Sequence, residues 1–222
     1  MLNLPVYIPA LMLLATAIAL YFFYEAVSNK KVTYAVITWI VIQGIIASTG
    51  FYTKTDTIPP RFVLVLLPPI VTIILLFSLP KGRTFINNLH SKNLTYLHTS
   101  RIFVELVIWW LFLSKLAPED ITFEGNNFDI LAGLTAPFIA YFGIHKKLIS
   151  NKLILIWNVI CLGLLLNVVI TGVLSSPLPF QQFNFAQPNV GMLYFPYVFI
   201  PGVVVQLVLF SHLVEIRRLL RN

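Results

Sequence analysis

The fold class this sequence predicts is an all-α membrane protein, a seven-transmembrane-helix bundle, and three observations predict it. Of 222 residues, 58% are hydrophobic and only 10% are charged. A soluble domain carries about 25% charged residues, so the groups needed to cover a water-facing surface are missing. The apolar residues also gather into seven runs of 17–24 residues, against the roughly 20 that cross a bilayer as a helix. Finally, most of the cations fall in the short segments between alternate runs.

The predicted spans are Leu4–Val27, Val32–Tyr52, Pro60–Leu79, Arg101–Ala117, Phe128–Ile144, Leu153–Leu174 and Val190–Leu213, forming one integral membrane domain over residues 1–222. Membrane β-strands would be about ten residues long and alternate in polarity; these runs are twice that length and apolar on every side. No basic residue precedes the first run, which therefore reads as a retained helix rather than a leader. Span 2 follows Ser28-Asn29-Lys30-Lys31 and carries Gln43 near its middle. Span 3 contains Pro68-Pro69, each of which removes a backbone donor, so either a plain kink filled by packing, the favoured reading, or a helix broken about a third of the way across is expected. Residues 80–100 mix Phe85, Ile86, Leu89, Leu94 and Leu97 with polar residues and read as a broken amphipathic helix on the membrane surface. Span 4 opens at Arg101. Span 5 has Asp129 near its start, placed to cap the helix, and carries Ala132, Ala136 and Ala140 as a stripe for close packing. Span 6 holds Asn158, Cys161 and Asn167. Span 7 holds Pro196, Pro201 and Gln206.

Charge sets the orientation. With the N-terminus outside and the C-terminus inside, the inner segments hold 12 of the 15 lysines and arginines; outside are only Lys54, Arg61 and Lys115. This is the positive-inside pattern. The net charge of +7 is therefore an orientation signal, and nucleic acid is not an expected partner. The lone Cys161 allows no intrachain disulfide and no Cys-x-x-Cys metal site. No cofactor is expected.

Two stretches align at an offset of 122 residues. Ser28-Asn29-Lys30 matches Ser150-Asn151-Lys152, and Thr49-Gly50 matches Thr171-Gly172. Leu76-Phe77-Ser78 and Leu209-Phe210-Ser211 close spans 3 and 7. Spans 1–3 and 5–7 read as parallel repeats joined by span 4. This build resembles the three-plus-one-plus-three topology of the SWEET and PQ-loop transporters. The Pro-Gln dipeptide of that family is absent from spans 1 and 5, so sugar specificity is not implied.

Ionisable and amide side chains within spans are costly and mark candidate sites. Arg101 and Glu105 stand at i,i+4 and predict an ion pair, either a structural bridge or a proton- or cation-coupled site, with His98 on the same face. Gln43, Asn158, Asn167 and Gln206 either line a polar cavity or bond across helix interfaces. At the outer end, Arg61 is the expected partner of Glu124 or Asp129. Asn127, Gln181 and Gln182, interleaved with Phe180, Phe183 and Phe185, complete a candidate ligand pocket; the alternative is an aromatic interface belt. His98, His145 and His212 with nearby glutamates form a weak metal-binding candidate, since no His-x-x-x-His or His-Glu-x-x-His spacing is present.

The run Thr122-Phe-Glu-Gly-Asn-Asn-Phe-Asp-Ile, with Leu131-Ala-Gly-Leu-Thr-Ala-Pro137, Ile58-Pro-Pro-Arg-Phe62, Phe180-Gln-Gln-Phe183 and Arg101-x-x-x-Glu105, resembles a group of small seven-span bacterial membrane proteins of unassigned function. The resemblance implies a bacterial inner membrane location and no activity. A microbial rhodopsin is excluded because Gly191–Ser211 contains no lysine, and a rhomboid protease because Gly-x-Ser-x-Gly is missing. Three readings remain: a small-solute transporter or permease with an outer-face pocket; a sensor or assembly scaffold acting through the outer loops; and a membrane enzyme using the His/Glu set, with a non-enzymatic role favoured. The expected partners are the lipid bilayer, a small-molecule ligand, and a second copy or another membrane protein.

Overall fold

The computed structural model describes residues 2, 4–27 and 29–221, and among them all regular structure is helical. Helix α1 spans Tyr7–Ala26 and α2 spans Lys30–Ser48. Asn29 starts α2, its side chain accepting from the Lys31 amide at 3.0 Å, the usual way to satisfy a free N–H at a helix start. Ser28, first residue of the repeated Ser-Asn-Lys motif, lies outside the described residues. In the second copy of that motif it is Ser150 that caps the helix, accepting from Leu153 N at 3.4 Å.

Helix α3, Val63–Ser78, continues unbroken through Pro68 and Pro69. The break comes beyond them at Leu79, where the chain turns 91° into α4, Pro80–Asn87. The prolines leave the carbonyls of Leu64 and Val65 without helical donors, yet packing holds the helix together. Gly202 lies so close to Val65 that a Cβ there would sit 2.8 Å from Val65 Cγ1.

The surface helix expected over residues 80–100 is confined to α4. Helix α5, Ser91–Leu97, continues into α6, Ser100–Leu113, and the two form one apolar run of 23 residues. The fourth helical run therefore begins at Ser91 and not at Arg101. The polar residues that masked it are answered by protein: Asn93 Nδ2 donates to Glu25 O at 2.8 Å, and Ser211 Oγ donates to Leu94 O at 2.8 Å. Leu94 and Leu97 are fully buried.

Beyond α6 the chain turns at Lys115 in the left-handed region, φ 60°. It makes a 3-10 turn at Glu119–Ile121 and enters α7, Ile130–Phe138, which widens into a π-helical run at Ile139–His145. Together these make only a short apolar helix. Helix α8, Asn151–Leu174, is the longest. A second π-helical run, Ile200–Val204, leads into α9, Val205–Leu219. Residues 190–199, expected inside the last span, form a 3-10 turn at Gly191–Leu193 and further turns instead.

Among the described residues, five helical runs are long and apolar enough to cross a membrane: Tyr7–Ala26, Lys30–Ser48, Ser91–Leu113, Asn151–Leu174 and Ile200–Leu219; α3 with α4 would make a sixth. Their outward faces carry exposed Ile45, Leu67, Ile74, Val159, Ile160 and Ile170. Inside, α1 packs on α5 and α6, α8 on α9, and α7 on α5 and α6. The close approaches use small residues. Ala15, Ala19 and Ala26 of α1 and Ala132, Ala136 and Ala140 of the α7 run are buried, the last three as the stripe predicts. At the far end Arg218 ties α9 to the α4–α5 junction, donating to Ile86 O at 2.7 Å, Leu89 O at 2.6 Å and Ser91 Oγ at 2.6 Å.

Candidate functional site: a charged cluster inside the bundle

Arg101 stands near the middle of the Ser91–Leu113 run and is 2% exposed. A guanidinium there must find acceptors within the protein, because desolvating an unpaired charge is prohibitive. The expected partner was Glu105, one turn along. The structure pairs Arg101 with Asp129 instead. Nε donates to Oδ2 at 2.6 Å and Nη2 donates to Oδ1, the two-pronged geometry in which a planar guanidinium fits a carboxylate best. The carboxylate comes from a residue returning from another segment and not from the i,i+4 neighbour on the same helix.

Asp129 does so because Thr122–Asp129 turns back into the bundle. Ile121, Thr122, Asn127 and Asp129 are all buried. Non-helical backbone at such depth is tolerated only when enclosed by protein, and this segment satisfies itself: Thr122 N donates to Glu119 O at 2.7 Å, and Asn127 N to Thr122 O at 3.2 Å. Asp129 does not cap α7 with its side chain, since both carboxylate oxygens are held by Arg101.

The remaining contacts extend the pair into a chain. Asn127 Oδ1 accepts from the Asp129 amide at 2.9 Å, and its Nδ2 donates to Glu105 Oε2 at 2.6 Å. On the other side, Arg101 Nη1 lies 3.0 Å from His212 Nε2, and His212 Nδ1 lies 2.9 Å from Asn158 Oδ1. A guanidinium only donates. Nε2 is therefore the acceptor, the ring proton sits on Nδ1, and His212 is a neutral imidazole donating to Asn158. Asn158 Nδ2 in turn donates to Ile154 O at 3.0 Å. Arg101 Nη2 also reaches the Cys161 carbonyl at 3.2 Å. His98 stacks on His212 with ring centroids 4.0 Å apart, and Trp157 packs edge-on against His98. Neither ring nitrogen of His98 has a partner among the described residues.

The charge balance singles out Glu105. Arg101 is neutralised by Asp129, while Glu105 has only the amide of Asn127. Its second oxygen has no hydrogen-bond partner among the described residues. Arg101, Glu105 and Asp129 line a cavity of about 50 Å³ whose other walls are mainly apolar, including Leu66, Leu165, Pro201 and Val204, with Ser176 and Asn189 as further polar lining. A site of this size admits a few water molecules or one small solute, given that a single water needs about 10–15 Å³.

Sequence reasoning placed these residues in three separate groups, and the structure joins members of all three. Arg101, Glu105 and Asn158 came from the intramembrane set, Asn127 and Asp129 from the outer set, and His98 and His212 from the histidine set. The Cys161 carbonyl and Trp157 were missed; a main-chain acceptor leaves no signature in sequence. The other candidates lie elsewhere. Arg61 sits over the Phe51 ring, 4.5 Å from its centroid, and donates to Phe51 O at 3.4 Å. Glu124 and Gln182 are exposed. Gln181 bonds locally to Phe183 O at 3.0 Å. Gln43 accepts from the Tyr52 hydroxyl at 2.7 Å, and Asn167 donates to Asn126 O at 3.0 Å. Gln206 borders a different cavity. His145 is exposed against Tyr141, and no group of three or more His, Cys, Asp or Glu among the described residues is arranged to hold a metal.

The loops around Thr122 and Phe180 are laced to the helix ends. Gln187 Nε2 donates to Phe112 O at 3.1 Å and Ala117 O at 2.6 Å, Asn189 Nδ2 to Gly172 O at 3.0 Å, and Asn184 Nδ2 to Asp120 Oδ2 at 3.1 Å. Gln187 and Asn189 thus add donors to carbonyls in and just beyond the last turns of α6 and α8, where a helix lacks intrahelical partners. Arg61 and Glu124 take no part.

Fold and site thus define an all-helical protein, rich in apolar helices of membrane-crossing length, with a charged cluster enclosed at its centre. The chain belongs to the family described as domain of unknown function (DUF8737), whose model matches residues 58–220. The match includes Arg101, Glu105, Asn127, Asp129, Asn158 and His212. No curated protein and no solved structure matches the chain.

Proposed function

We propose that this is a seven-span protein of the bacterial inner membrane, N-terminus out and C-terminus in, that works as a proton-coupled carrier of a small solute. The working centre is the Arg101–Asp129–Glu105 cavity rather than an outer-face pocket. One observation carries this reading: Glu105 is a buried carboxyl without a charge partner of its own, facing a small cavity beside an already neutralised arginine. Taking up or releasing one proton there switches the cavity between neutral and negative, and an ionisable group that does this inside a membrane is the usual component of a proton relay. The chain through Arg101, His212 and Asn158 supplies oriented donors on the opposite side.

The test is proton movement in liposomes reconstituted with the full chain and loaded with a pH-reporting dye. An imposed pH gradient, applied with and without a panel of small solutes, should collapse faster in wild-type vesicles than in empty ones. Glu105→Gln should return the rate to that of empty vesicles. Equal rates for wild type, Glu105→Gln and empty vesicles across the panel would overturn the proposal.

A second reading rests on the loops. Phe183 and Phe185 are 48% and 70% exposed on a framework held rigid by Asn184, Gln187 and Asn189, a surface suited to docking another membrane protein as a sensor or scaffold. Here Phe185→Ser would release a co-purifying partner without changing proton movement, and an unchanged partner recovery would count against it.

A further inference from the structure

A second cavity, of about 320 Å³, lies on the other face of the Ile200–Val204 π-helical run. Ile200, Pro201 and Val204 border the charged cavity, whereas Gly202 and Val203 border this one. Its walls are α2, with Val36 and Trp39, and α3, with Pro68 and Ile73; Gly202 and Gln206 form the floor. The groove exists because α2 packs mainly on α1 and the Phe51–Thr53 turn and leans away from α3. Trp39 holds the floor in place, its Nε1 donating to Gly202 O at 2.9 Å. The volume falls at the lower end of the range for ligand pockets, about 300–1,000 Å³.

The polar inventory of this groove is short. No charged side chain lines it. The Trp39 N–H is taken by Gly202 O, and the Thr72 hydroxyl donates to Pro68 O at 2.8 Å. Gln206 Nε2 donates to Pro201 O at 2.9 Å, while Gln206 Oε1 is buried with no partner among the described residues, in a side chain only 6% exposed. A buried amide oxygen without a donor is a strained feature, and it is the feature a ligand would relieve. The missing group is a donor. It belongs to a neutral molecule, because nothing in the groove would balance a charge. Ala35, Pro68 and Thr72 on the rim are exposed, so the groove opens on the flank between α2 and α3. The two helices that flank it are apolar on their other outward faces as well, where Ile37, Val41, Val71 and Ile74 are exposed. The occupant therefore enters from an apolar phase and not from water.

We infer that this groove binds a neutral long-chain alcohol of the lipid phase, its chain lying between α2 and α3 and its hydroxyl donating to Gln206 Oε1. The site stands independently of the carrier reading.

The experiment uses the full chain in detergent micelles and a diazirine-bearing dodecanol as the photolabel, with 1-dodecanol and dodecane as competitors. Adducts should concentrate in residues 32–39, 68–76 and 202–210, and dodecanol should compete about tenfold better than dodecane, the equivalent of about 1.4 kcal/mol. Gln206→Leu should erase that preference. Ala35→Phe, on the exposed rim and away from Gln206, should block labelling without altering the fold. Adducts spread evenly over all exposed apolar faces, or equal competition by dodecanol and dodecane in wild type, would overturn the inference. So would ready formation of disulfide-linked dimers by an Ala35→Cys variant under mild oxidation, which would assign the groove to a second copy of the chain.

Discussion

Arg101 and Asp129 meet as a two-pronged ion pair between α6 and the start of α7, 28 residues apart in sequence and both almost fully buried. Removing one member of such a pair leaves an uncompensated charge, at about 3–5 kcal/mol, whereas replacing both with apolar residues of similar volume is often neutral or better. Asp129→Asn is therefore expected to destabilise the protein by about that amount, and Arg101→Met combined with Asp129→Leu to recover most of the loss. Thermal unfolding of the purified variants in detergent checks both. A double variant no more stable than Asp129→Asn alone would show that the pair contributes more than mutual neutralisation.

Glu105 differs from Asp129 although the two share one cavity. Glu105→Gln keeps the shape and still offers an oxygen to Asn127 while removing the option of ionising, so stability should stay within about 1 kcal/mol of wild type, the worth of a typical neutral hydrogen bond. Thermal unfolding of Glu105→Gln measured beside Asp129→Asn separates the roles. A large loss in both would place Glu105 in the structural framework of the cluster.

The glycines offer a test of packing near the site. A Cβ at Gly133 would lie 2.8 Å from Ile102 Cγ1 and 3.0 Å from the Ile102 amide nitrogen, beside Arg101. Overpacking of this kind costs about 1–3 kcal/mol, and Gly133→Ala should show it. Gly163 of α8 has open space where its Cβ would lie. Gly163→Ala should instead gain up to about 1 kcal/mol from helix propensity. The two variants measured together give opposite shifts in unfolding temperature.

Arg218 should behave as a clamp rather than as a surface charge. Its donors reach the carbonyls of Ile86 and Leu89 and the hydroxyl of Ser91. Arg218→Ala is expected to cost about 1–3 kcal/mol through unsatisfied acceptors and to raise hydrogen exchange over residues 86–91. Arg218→Lys should recover little, because an ammonium cannot span those positions as a planar fork does. Full protection in Arg218→Lys would reduce the interaction to simple charge.

What the sequence made legible was what depends on local pattern. Apolar runs of sufficient length announced α1, α2 and α8, and Ala132, Ala136 and Ala140 announced a close-packed face. The start of the α5–α6 run was hidden, because Asn93, Thr95, His98 and Ser100 look like surface residues when their partners are unknown. Asn93 finds Glu25 O, and His98 finds His212, only through the fold. The same holds for the cluster. Arg101 and Glu105 at i,i+4 invite pairing by spacing alone, and only the inward turn of Thr122–Asp129 reveals the better partner. Asn127 reads as a ligand-facing amide at a loop surface, yet it is buried and bonded to the protein. Polarity in a segment shows that bonds must be made, without showing to whom.

The long reach of Arg101 also bears on how the chain is made. A helix carrying an arginine at its centre is disfavoured in lipid by about 2.5–3.5 kcal/mol on insertion scales, and Ser91–Leu113 leaves the ribosome before either of its answers exists. The neutralising carboxylate of Asp129 follows 28 residues later, and the imidazole of His212 follows 111 residues later. On the membrane reading proposed above, synthesis thus passes through an interval in which this helix carries an unmatched charge. A nascent chain stalled before Asp129 would remain in that interval, and one stalled between Asp129 and His212 would be neutral but unfinished, so on that reading the insertion machinery would have to tolerate an unmatched charge until the later segments arrive.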